Sequence, residues 1–134
     1  MSEHHTALVY TMVLVSASDS NMTDRELGTI GEIVSHLPIF ADYDRKRLTK
    51  DAEACAELLA DKNGLEKVFS KITAALPEKL KETAYAVALD VAAADGAASQ
   101  EELRMLEMIR HRLAVGRLPA AAIERGARAR YMRL

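Results

Sequence analysis

The chain has 134 residues and a net charge of −2, with 49% hydrophobic residues but only 4% aromatic and no Trp. That length suits one domain, 1–134, with a core of Leu, Ile, Val, Met and Ala; the scarcity of Gly and Pro excludes a turn-rich β-sandwich or barrel. The single cysteine, Cys55, cannot form an intrachain disulfide, which fits a reducing, cytoplasmic setting.

The charge is unevenly spread. Residues 110–134 hold seven Arg and one Glu, a balance of +6, which leaves −8 on the rest. An acidic body disfavours nucleic-acid binding, while the basic end is able to touch something anionic. The longest apolar run, Ala7 to Val15, is too short to span a bilayer and has no basic segment before it.

In chain order, residues 1–6 are polar and expected to fray, with His4 and His5 in that loose end. A first helix follows from about Thr6 to Ala17, apolar nearly all round and therefore central. Asp19 stands one step further along its Leu8, Met12, Val15 line. Thr23 and Glu26 form a capping box that opens a second helix with Leu27, Ile30, Val34 and Leu37 inward. Gly28 and Gly31 weaken that helix and are expected to admit a neighbouring backbone. Pro38 ends it.

A third helix, about Asp44 to Ala60, repeats Leu48, Ala52, Cys55 and Leu59 at helical spacing and stops at Asn63-Gly64. Leu65, Val68, Phe69, Ile72 and Leu76 mark a fourth. Pro77 begins a fifth, with Leu80, Ala84, Val87, Ala88 and Val91 inward and Asp95 at the end of the line. Ser99 and Glu102 cap a sixth, with Leu103, Leu106, Ile109 and Leu113 inward; Gly116 and Pro119 close it. A last Ala/Arg-rich helix covers roughly 119–131.

A constant offset of 76 relates the first hairpin to the one formed by helices five and six: Leu8 to Ala84, Met12 to Ala88, Val15 to Val91, Asp19 to Asp95, Thr23 to Ser99 and Glu26 to Glu102. The pattern predicts an all-α fold of about seven helices, its bundle core built from two pseudo-repeated hairpins.

Val91-Ala-Ala-Ala-Asp95-Gly96, then Ser99-x-x-Glu102 and the Leu103, Leu106, Ile109 stripe, resembles the signature of the tellurite-resistance TerB-like domain family. Ser18-Asp19 through Thr23-x-x-Glu26-Leu27 is similar to that family's opening hairpin, and the likeness covers about residues 6–116. It implies a helical bundle with an acidic face for a divalent cation, Ca²⁺ or Mg²⁺, at Asp19, Glu26, Asp95 and Glu102. It further implies a role in tellurite, metal or envelope stress through a protein partner, membrane-associated or not, rather than catalysis. Self-association is open, and no nucleic-acid partner is expected.

A hard cation wants several converging oxygens. Neither turn is an EF-hand, since Ile30 stands where a bidentate Glu is needed, so any site is weak or shared between the turns. Against this stands a purely structural reading in which the acidic residues only cap helices, and the domain scaffolds or oligomerises. A metal-dependent hydrolase ranks last, because no base or oxyanion donor accompanies the carboxylates. His36 and His111 suit helix C-terminal ends, and Cys55 suits the core. Asp90 and the Arg-rich helix read as solvated surface.

Overall fold

A computed structural model describes residues 3–18, 22–94, 96 and 98–134. Among them lie seven α-helices and three 3-10 turns, and no strand. The helices are α1 (Glu3–Ser16), α2 (Asp24–His36), α3 (Leu48–Ala60), α4 (Gly64–Ala75), α5 (Lys81–Ala94), α6 (Gln100–Arg112) and α7 (Arg117–Arg130).

The organising element is α1. Every residue from Ala7 to Ser16 is buried, as an all-round apolar helix requires when no face is left for water. It packs against α5, α4, α3, α6 and α2. Thr11 tolerates burial because its hydroxyl donates to the Ala7 carbonyl at 2.7 Å. Ser16 Oγ is also buried, but has no hydrogen-bond partner among the described residues.

The paired hairpins carry matching burial. Leu8 and Ala84, Met12 and Ala88, Val15 and Val91, and Ile30 and Leu106 are all core positions. At the paired positions α1 carries the larger Leu8 and Met12 where α5 carries Ala84 and Ala88. This alternation of large and small lets close-packed helices fill space without voids.

Four expectations need correction. Residues 3–5 do not fray: α1 begins at Glu3, and His5 is only 2% exposed. The His5 ring clusters with Phe40 and Tyr43, with centroids at 5.6 and 5.2 Å. Its Nε2 is 2.7 Å from the Ile39 carbonyl, which can only accept, so Nε2 carries the hydrogen. The Asp42 carboxylate lies 3.3 Å from the same nitrogen. These partners come from more than thirty residues away, so nothing near His5 in the sequence announces them.

Leu103 is the second. It is 50% exposed, because the line through Leu106, Ile109 and Leu113 extends back by helical steps of four and three to Glu102, which is buried. Apolarity pointed to the wrong neighbour. Third, neither Gly28 nor Gly31 admits a backbone: a Cβ at Gly28 would meet nothing within 4 Å, and at Gly31 only the Leu48 side chain at 3.7 Å. The close approach occurs at Gly64, where a Cβ would stand 2.2 Å from the Leu58 carbonyl oxygen and 2.6 Å from that of Leu59.

The fourth concerns the end of α6. Val115 N–H donates to the Arg110 carbonyl and Ala114 N–H to that of His111, the paired bonds of a Schellman stop. Ala114, not a glycine, takes the left-handed position at φ 55°. Gly116 instead precedes α7, which therefore starts two residues before Pro119.

Candidate functional site

Asp19 and Asp95 lie outside the described residues, so the acidic turns are described through their remaining members. In the first, Thr23 Oγ1 accepts from Glu26 N–H at 3.1 Å, and Glu26 Oε1 accepts from Thr23 N–H at 2.8 Å. The second repeats this, with Glu102 N–H to Ser99 Oγ at 3.1 Å and Ser99 N–H to Glu102 Oε1 at 2.9 Å. Both are complete capping boxes, as Ser/Thr-x-x-Glu dictates. Each places a carboxylate at a helix N-terminus, where the dipole favours negative charge.

The environments of the two differ. The first box is exposed, whereas Glu102 is only 6% exposed. At Gly96 the backbone takes φ +94°, which explains a glycine there, and a Cβ would lie 3.7 Å from the Arg133 guanidinium. Arg133 also donates to the Ala94 carbonyl at 3.4 Å, at the C-terminal end of α5. The second turn thus already has a cation beside it.

The two boxes stand at opposite poles of the bundle. His5, at the start of α1, is bonded to Ile39 just past the end of α2. Asp90, late in α5, shares a cavity with Glu32, Ile33, His36 and Leu37 at that same end of α2. So α5 ends where α1 begins, and the turn that follows it lies there too. A second route agrees. The last turn of α4 shares a cleft with Glu3, Thr6, Ala7 and Tyr10 of α1, while Glu66 in its first turn holds Arg112 at the end of α6 at 2.8 and 3.0 Å. Hence α6 starts at the His5 pole and ends at the other. Thr23 and Glu26 follow the end of α1, about one 13-residue helix, or roughly 20 Å, from Ser99 and Glu102.

The distance decides what the carboxylates can do. Oxygens on one Ca²⁺ lie about 2.3–2.6 Å from it, so Glu26 and Glu102 cannot share an ion. Among the described residues no three His, Cys, Asp or Glu side chains gather as a metal set. A cation at either turn therefore depends on Asp19 or Asp95, the backbone and water.

Several residues that read as solvated have fixed partners. Arg130 pairs with Asp90 at 2.6 Å, and the Asp90 side chain is only 15% exposed. Arg112 also lies over the Phe69 ring at 4.5 Å. Tyr85, buried on α5, donates to Glu124 of α7 at 2.6 Å; burial first and then this bond raise its phenol pKa well above the usual value. The Arg130–Asp90 and Tyr85–Glu124 contacts dock α7 on α5, and sequence periodicity gives no signal for them. His36 Nδ1 donates to the Glu32 carbonyl at 2.7 Å, as a helix-end histidine can. Cys55 is fully buried, and desolvation pushes its thiol up to about 12.

An all-helical bundle made of two capped, acidic hairpins is the class of protein defined here. The chain matches the family model described as Tellurite resistance protein TerB over residues 5–124, and it belongs to that family. The match starts close to the Thr6 read from the motifs and runs past Gly116 into α7. No curated protein and no solved structure matches the chain. None of its described helices is long and apolar enough to cross a membrane.

Proposed function

We propose that this chain is a non-enzymatic interaction module of the tellurite, metal or envelope stress response, in which the acidic turns are two independent, weak cation positions. One observation carries this reading. The capping bonds to Glu26 all use Oε1, so its cap and a ligand bond through Oε2 are compatible. Asp19 with Glu26 would supply the first position for Ca²⁺ or Mg²⁺, and Asp95 with Glu102 the second. The first is the stronger, because Arg133 stands beside Gly96 in the second and opposes another positive charge.

Ca²⁺ titration followed by thermal unfolding tests it. Binding to the folded chain alone raises the melting temperature. Asp19→Ala should remove most of that rise, Asp95→Ala a smaller part, and Arg133→Gln should increase the share carried by the second turn. A second reading, that the turns are caps and nothing more, is favoured by the completeness of both boxes. It predicts no cation effect in any variant, and a cost of about 1 kcal/mol for Ser99→Ala whatever ion is present.

A further inference from the structure

The seven arginines of residues 110–134 divide into two groups. Arg112, Arg130 and Arg133 have the fixed partners described above, and Arg110 is half-buried beside Tyr85. Arg117, Arg125 and Arg128 are exposed and make no hydrogen bond or ion pair among the described residues. At 3.6 residues per turn, Arg125 and Arg128 return to within about a quarter turn of Arg117. The opposite face of α7 carries Ala120 and Ala127, buried, and Ile123, packed on the core. The only acidic residue of α7, Glu124, accepts the Tyr85 hydroxyl. Glu124 is itself exposed and lies about 20° from Arg117 around the helix, so the outer face carries three guanidinium groups against one carboxylate and is net cationic.

Large apolar side chains stand exposed at the two ends of this helix. Leu118, beside Arg117, is 81% exposed, and Met132, just past the helix, is 63% exposed. Exposed guanidinium groups flanked by large exposed apolar side chains match a surface whose charge is negative and whose interior is oily.

We infer that the outer face of α7 docks onto an anionic lipid surface, with Arg117, Arg125 and Arg128 against headgroup phosphates and Leu118 and Met132 dipping below them. A nucleic acid fits less well. The tyrosine of this segment, Tyr131, is half-buried and lines the cavity with Asp90 and His36 instead of standing beside the arginines, and the charge of −8 over residues 1–109 repels a long polyanion. A flat lipid surface needs only the one face.

Co-sedimentation of the full chain with vesicles tests this. It should bind phosphatidylcholine vesicles containing phosphatidylglycerol, not phosphatidylcholine alone, and added salt should release it. R117E/R125E/R128E should lower partitioning by about a hundredfold or more, with an unchanged circular dichroism spectrum and melting temperature. L118S should lower it severalfold, whereas K62E, a charge reversal on the exposed α3–α4 turn, should leave it unchanged. Equal binding to both vesicle types, or wild-type binding by the triple variant, overturns the inference. So does a finding that the three arginines instead mediate oligonucleotide binding or lipid-free self-association.

Discussion

The same substitution, Gly→Ala, should have opposite signs at two helical positions of this chain. Gly28 is exposed inside α2, with nothing within 4 Å of where a Cβ would sit. Alanine there removes the entropic penalty of a helical glycine and should stabilise by about 1 kcal/mol. Gly64 opens α4 directly against the last turn of α3, where a Cβ would lie 2.2 Å from one carbonyl oxygen and 2.6 Å from the next. Both obstacles are backbone, so no side chain can rotate away. The α3–α4 turn, already holding Asn63 at φ 58°, must open. Forced overpacking of this kind costs about 1–3 kcal/mol, and rigid neighbours put it in the upper half of that range. Equilibrium urea unfolding of both variants, with m unchanged, should show Gly28→Ala above wild type and Gly64→Ala below it by about 2–3 kcal/mol. At about 3–5 °C per kcal/mol for a chain of this size, thermal scans should separate the pair by more than 9 °C. If Gly64→Ala equals Gly28→Ala, the tight α3–α4 junction described here is wrong.

Four further outcomes are expected. Ser16→Ala should be stabilising by about 1 kcal/mol, since it removes a buried hydroxyl without a described partner and installs the residue found at the paired position, Ala92; a loss of more than 1 kcal/mol in urea unfolding would falsify this. Ala114→Gly should gain up to about 1 kcal/mol by relieving the left-handed backbone that ends α6, and a loss there would refute that account of the helix stop. Burial, then the neighbouring His5, hold the His4 pKa below its ordinary 6.5, with Asp42 opposing. The unfolded chain therefore binds this proton first, so His4's contribution, complete above about pH 6.5, is lost as pH falls through the window below it; His4→Gln should flatten that part of the stability profile. Cys55 behaves inversely: the unfolded thiol ionises near 9 and the folded one near 12, so its contribution is lost as pH rises between them. A thiol reagent at pH 8 should label Cys55 only at the rate at which the chain opens.

Much of the architecture is local and so was legible in the sequence. Ser/Thr-x-x-Glu closes a capping box with bonds between residues three apart, and both boxes formed at Thr23–Glu26 and Ser99–Glu102. The all-round apolarity of α1 and the core line of α5 are statements about helical period and water, and both held. The offset of 76 carried through to burial along α1 and α5, where Leu8, Met12 and Val15 match Ala84, Ala88 and Val91, but not at Glu26 and Glu102 or at Ile33 and Ile109.

What failed required long-range partners. A histidine near the start of the chain enters the core only because Ile39, Phe40 and Tyr43 arrive beside it. Whether Leu103 or Glu102 faces inward depends on a rotation of α6 of about 100°, one residue's worth, which the neighbouring helices settle. The glycine that cannot be replaced was not distinguishable by type from those that can. Most important for function, two like turns one repeat apart could have met or stood apart. Their local chemistry is the same in either case, and only the packing of α5 against α1, start to end, sets Glu26 and Glu102 at opposite poles.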